Sequence, residues 1–74
     1  MIFDVSNDKI ASDIDCWING SNAKRNREIL KRRLIDGLTY EALAEEFNLS
    51  TSQITRIVYN ASAKLFRHVE YKSN

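Results

Sequence analysis

Seventy-four residues without a single proline and with only two glycines, Gly20 and Gly37, leave little from which to build turns. Folds made of many short strands need a Gly-, Pro- or Asn-rich corner about every 8–12 residues. The chain is therefore expected to be all-α, with a few long helices. Its length sets a second bound, because a domain this small buries only about 60% of the surface its unfolded chain exposes and has no room for a deep catalytic cleft. Hydrophobic residues at 43% and charged residues at 28% give the balance of a folded globular domain and not of a disordered tail.

Apolar periodicity places four helices. Ile10, Ile14, Trp17 and Ile18 form one stripe and predict a helix over about 8–19, with Ser6, Asn7 or Asp8 as its cap and Gly20 as its end. Ile2, Phe3 and Val5 before it read as a short arm. Ala23, Ile29, Leu30 and Leu34 predict a second helix over 23–36, closed by Gly37 in the left-handed region. Thr39 is a good N-cap, with Glu41 in the first turn and Leu38 able to staple onto Leu43, so the third helix spans 40–47. Asn48 stops it, since Asn is the usual substitute for Gly where the backbone turns left-handed. Ser50 with Gln53 three residues on makes a capping box for a fourth helix over 51–70, with Ile54, Ile57, Val58, Ala61 and Leu65 on one face. The expected organisation is one domain over 1–74, with an N-terminal arm and helix in 1–22.

A net charge of +1 hides an uneven distribution. Residues 1–23 carry −3, 24–33 carry +5, 34–50 carry −4 and 51–74 carry +3. Two basic segments on a near-neutral chain suit a small module that binds a polyanion on one side.

The twenty residues from Tyr40 to Tyr59, YEALAEEFNLSTSQITRIVY, carry the most specific pattern in the chain. Two helices that cross steeply and share one small core need a small residue at the crossing, a left-handed residue in the turn and apolar residues facing inward. Ala44 and Asn48 fill the first two roles, and Leu43, Phe47, Leu49, Ile54 and Ile57 the third. This is the pattern of a helix-turn-helix, whose second helix enters the DNA major groove.

The longer stretch REILKRRLIDGLTYEALAEEFNLSTSQITRIVYNASAKLFR, residues 27–67, resembles region four of bacterial sigma factors, the segment that recognises the −35 promoter element. The matching features are the Arg-Glu-Ile-Leu opening, the Gly-Leu-Thr-Tyr corner, the Ala-Glu-Glu step and the Leu-Ser turn. It is similar as well to the helix-turn-helix of response regulators and of small phage or mobile-element regulators. The resemblance implies a region-four-like unit over 23–72, a stand-alone module or a fragment, without the second region that a complete sigma factor uses on the −10 element. It also implies duplex DNA as partner, and RNA polymerase as a further one. In that family the positions matching Thr51, Ser52 and Thr55 are commonly charged; three small hydroxyls here imply a different sequence preference.

Stepping 100° per residue from Ile54 as the core direction puts Ser52, Arg56, Tyr59 and Ala63 opposite the core, flanked by Gln53, Thr55 and Asn60. The base-reading candidates are Thr51, Ser52, Gln53, Thr55, Arg56 and Tyr59: Arg grips guanine bidentately, Gln grips adenine, and Thr offers a methyl to thymine. The phosphate-binding candidates are Lys24, Arg25, Arg27, Lys31 and Arg32 on the second helix, with Asn60 and Lys64 on the fourth. Arg33 falls on the buried side of its helix and is expected to pair with Glu41 or Glu45. Tyr59, Ser62, Phe66 and Val69 form a second apolar stripe on the fourth helix. That stripe and the one on the first helix are expected either to bury each other or to form a homodimer interface.

A single cysteine, Cys16, and a single histidine, His68, allow no intrachain disulfide and supply too few ligands for a structural zinc site. No Gly-rich phosphate loop or HExxH motif is present, so no enzyme, cofactor or small-molecule ligand is expected. Without an apolar run of membrane-spanning length or a leader after Met1, the expected location is the cytoplasm. The function expected from these residues is that of a sequence-preferring DNA-binding transcriptional regulator. The alternative is a protein-interaction module of the same fold that docks on RNA polymerase or a sigma factor.

Overall fold

In the computed structural model, which describes residues 7–68, the chain forms four helices and nothing else regular: α1 (Asn7–Trp17), α2 (Ala23–Leu34), α3 (Tyr40–Phe47) and α4 (Thr51–His68). The arm residues Ile2, Phe3 and Val5, the cap candidate Ser6, and Val69 and Glu70 at the expected end of α4 lie outside the described residues. No described helix is long and apolar enough to cross a membrane.

Local chemistry sets the boundaries of α3 and the start of α4. The Thr39 hydroxyl accepts the Ala42 N–H at 3.1 Å and so satisfies one of the donors that every helix start leaves open. Asn48 takes φ 57° and ψ 46°, and the Leu49 N–H behind it donates to the Ala44 carbonyl at 2.9 Å, the long bond of a Schellman turn. Ser50 and Gln53 then close the capping box that opens α4.

Two helices end before the periodicity expects. α1 stops at Trp17: the Ile18 N–H closes the last helical bond, to the Ile14 carbonyl (3.0 Å), and Gly20 (φ 96°) and Asn22 (φ 61°) then reverse the chain. α2 stops at Leu34, with Ile35 donating to Lys31 and Leu38 to Arg32, while Gly37 takes the left-handed φ of 73° expected of it.

All four helices feed one core. Ile14, Ile29, Leu30, Leu43, Ile54 and Leu65 are fully buried, with Ile18, Ala44, Val58 and Ala61 nearly so. Each buried Ile, Leu or Val among them stabilises the fold by about 1.5–3 kcal/mol through the area it removes from water. Phe47, Leu49 and Ile57 pack against this cluster, so every apolar position of the helix-turn-helix pattern faces inward. α1 lies against α2 and α4 and adds Ile14 and Ile18 to the same core. Ile10, Ile14 and Ile18 of its stripe are thus packed on the core while Trp17 is left exposed, and the cover is not the second stripe of α4. Tyr59 (74% exposed) and Phe66 (51%) stay outside, because α1 packs on the inner side of α4 rather than the outer.

Candidate nucleic-acid interface

The amphipathic pattern of α4 decides what it offers to solvent. With Ile54, Val58, Ala61 and Leu65 turned inward, Thr51, Ser52, Gln53, Thr55, Arg56, Tyr59, Asn60 and Lys64 are all exposed. Thr51, Ser52, Thr55, Arg56 and Tyr59 line one open hollow of about 430 Å³. Between the first turns of α2 and α4 lies a second, of about 190 Å³, where Arg25, Gln53 and Arg56 stand over Leu49 and Ile57. A third, of about 200 Å³, is formed by the turn after α1 with α2 and α4; Asn19, Asn26, Arg56, Asn60 and Lys64 rim it. Arg56 is common to all three, and no acid lines any of them. Residues 51–67 of α4 contain no Asp or Glu at all.

Hydrogen bonds within α4 limit what two of these side chains can offer. The Thr55 hydroxyl donates to the Thr51 carbonyl at 2.8 Å, which leaves its methyl as the group for a partner. Gln53 accepts the Ser50 N–H on its Oε1 and keeps its amide NH₂ for other acceptors. Arg56, Lys24 and Lys64 form no ion pair with any described residue.

The cations of α2 divide into two groups. Lys24 and Arg25 lie in its first turn, and Arg25 reaches the hollow beside Arg56. The other four are engaged within the molecule. Arg27 donates through Nε to the Ile18 carbonyl (2.7 Å) and through a terminal NH₂ to Asn19 Oδ1 (3.1 Å). Lys31 pairs with Asp15 at 2.9 Å, and Arg32 with Glu46 at 2.7 Å while lying over the Phe47 ring. Arg33 departs from expectation altogether: it binds neither Glu41 nor Glu45. Its guanidinium donates to the Leu38 carbonyl at 2.8 Å and sits 4.4 Å from the Tyr40 ring centre, because the α2–α3 corner brings that ring and that carbonyl closer than any acid.

Two residues at this surface, Asn19 and Asn26, were not among the sequence candidates. Asn26 could have been found from its place one turn before Ile29 and Leu30, a polar residue at the edge of the inner face of α2. No spacing marks Asn19, since its position depends on the chain reversal at Gly20 and Asn22.

The family model described as Sigma-70, region 4 matches residues 23–67. The chain belongs to the sigma-70 region 4 family. This is a family of DNA-binding helix-turn-helix domains, not of enzymes, and in sigma factors the domain also interacts with RNA polymerase. Comparison with curated proteins and with solved structures gives no match. The matched span takes in α2 and α3 whole and α4 as far as Arg67, whereas α1 and the Asn19 turn precede it. The outer face of α4 and the start of α2 present guanidinium, ammonium and amide donors together with the Thr55 methyl. Among the described residues no group of three or more His, Cys, Asp or Glu could hold a metal ion, and Cys16 is exposed.

Proposed function

We infer that this region 4 domain is a transcriptional regulator of the cytoplasm that reads duplex DNA with α4 in the major groove. The observation that carries the reading is the acid-free outer face of α4, where Thr51, Ser52, Thr55, Arg56 and Tyr59 surround one open hollow. Arg56 is the base reader, suited to guanine O6 and N7; the Thr55 methyl suits a thymine methyl, and the Gln53 amide donates to an acceptor edge. Lys24, Arg25, Asn60 and Lys64 flank this face and hold phosphates. The ion pairs of Lys31 and Arg32 and the backbone contact of Arg27 make these three the weaker phosphate candidates.

The test is binding to random and selected duplexes at two salt concentrations. The three cations among these, Lys24, Arg25 and Lys64, give a slope of log K against log salt of about −3, since each contributes about 0.9. A slope near zero overturns the reading. A second reading, docking on RNA polymerase or on a second copy of the chain, is favoured by one observation, the exposed rings of Tyr59 and Phe66 on one side of α4. It predicts that Tyr59→Ala and Phe66→Ala abolish polymerase capture or self-association while leaving DNA affinity within about twofold.

A further inference from the structure

The third hollow lies where the family match ends. Its floor is apolar, made by Ile18, Ile57 and Ala61, and its rim carries only amides and cations, Asn19, Asn26, Arg56, Asn60 and Lys64. The amides are held with their orientation set. Asn19 Oδ1 accepts from Arg27, and its Nδ2 donates to the Cys16 carbonyl at 3.1 Å. Asn26 Oδ1 accepts from Arg25 Nε at 3.2 Å, so its NH₂ is the group left for a ligand. Arg27 also grips the Ile18 carbonyl at 2.7 Å, which ties the turn after α1 to α2 and fixes that wall of the hollow. A concave site rimmed by donors and cations, with an apolar floor and no carboxylate, selects an anion.

We propose that this hollow seats one phosphate of the DNA backbone, and that the turn after α1, outside the region 4 match, thereby belongs to the DNA-binding surface. The proposal rests on the DNA-reading function above. α4 lies in the groove, and the hollow opens beside its third and fourth turns, where Asn60 and Lys64 stand; a phosphate of the strand flanking the groove fills it. Lys64 supplies the charge, Asn26 and Asn60 the directed donors, and Arg56 closes the edge that the hollow shares with the base-reading face. Arg27 is a positioning residue that keeps Asn19 and Ile18 in place.

Two substitutions test this, each compared with wild type in helical signal and urea midpoint, because Asn19→Asp gives up the donor to the Cys16 carbonyl. Asn26→Asp keeps the acceptor for Arg25 and adds an acid near the start of α2, where the helix dipole favours one. Asn19→Asp keeps the acceptor for Arg27. Both put a carboxylate on the rim. Each is expected to lower affinity for the preferred duplex about tenfold at ~100 mM salt and to reduce the salt slope by about one unit, as the loss of a phosphate contact requires. Ser12→Asp, an exposed α1 position that lines none of the hollows, adds the same charge and is expected to change affinity less than twofold. Methylphosphonate linkages introduced one at a time into the duplex identify the phosphate. One linkage weakens wild-type binding by about tenfold and has no further effect on the Asn26→Asp protein.

Equal losses from Ser12→Asp and Asn26→Asp overturn the seat in favour of general charge. So does a preferred duplex that binds well but shows no linkage coupled to Asn26. A wild-type protein that binds no duplex overturns the seat together with the DNA-reading function, whereas the other two outcomes leave that function standing.

Discussion

Ser50 and Gln53 hold each other across the first turn of α4: the Ser50 N–H donates to Gln53 Oε1 at 2.9 Å, and the Gln53 N–H donates to Ser50 Oγ at 3.1 Å. The N-cap of α4 is therefore tied to one of the exposed side chains of that helix. Ser50→Ala is expected to destabilise the fold by about 1 kcal/mol, the usual cost of losing an N-cap. Gln53→Glu separates the two roles, since Glu completes the same box but places a negative charge on the groove side. Urea melts should show the Glu variant within about 0.5 kcal/mol of wild type, while its DNA affinity falls. A Glu variant as unstable as Ser50→Ala contradicts the box geometry.

The left-handed turn makes a second prediction. At φ 57° and ψ 46°, Asn48 occupies a region where a Cβ is strained and a β-branched one more so. Asn48→Gly is expected to be neutral or slightly stabilising, and Asn48→Val to cost about 1–2 kcal/mol. Thermal melts of the pair decide it: a Val variant as stable as Gly is incompatible with this turn.

These two features show what was legible in the chain. Thr39, Asn48, Ser50 and Gln53 act on backbone groups within five residues, so their types and spacing alone determine the ends of α3 and the start of α4. The outer face of α4 follows from its inner face by helical geometry. What was not legible depends on chain segments meeting through space. Ile18 leaves the helix because Arg27, nine residues on, takes its carbonyl. Arg33 finds the Tyr40 ring only because the α2–α3 corner folds it there. The ion pairs Lys31–Asp15 and Arg32–Glu46 likewise join helices whose packing no local spacing encodes, and they remove two cations from a run that reads as uniformly solvated.

α1 precedes the family match yet places Ile14, fully buried, in the common core. Ile14→Ala is expected to cost about 2–5 kcal/mol, comparable with Leu43→Ala inside the helix-turn-helix, because both leave a cavity in the same packed cluster. A single transition that shifts equally by helical signal and by Trp17 fluorescence would establish that α1 unfolds with the rest. If Ile14→Ala leaves the denaturation midpoint unchanged, α1 is peripheral to the folded unit.

The last prediction separates reading from gripping. Arg56 lines all three hollows and forms no ion pair with a described residue, Lys64 stands at the rim of one hollow, and Lys31 lines none and pairs with Asp15. Arg56→Ala is expected to weaken the preferred site by about 1–3 kcal/mol and to relax discrimination at one base pair, since a guanidinium on a base edge reports base identity. Lys64→Ala should lower specific and random binding by the same factor and flatten the salt slope by about 0.9, because phosphates carry no sequence information. Lys31→Ala should leave the slope unchanged and shift stability by no more than about 1 kcal/mol, the range of an exposed ion pair. Competition between specific and random duplexes distinguishes the three. If Arg56→Ala and Lys64→Ala lower both kinds of binding alike, α4 holds the DNA without reading it. If Lys31→Ala also flattens the slope, the Asp15 pair opens on binding and α2 meets the backbone along its whole length.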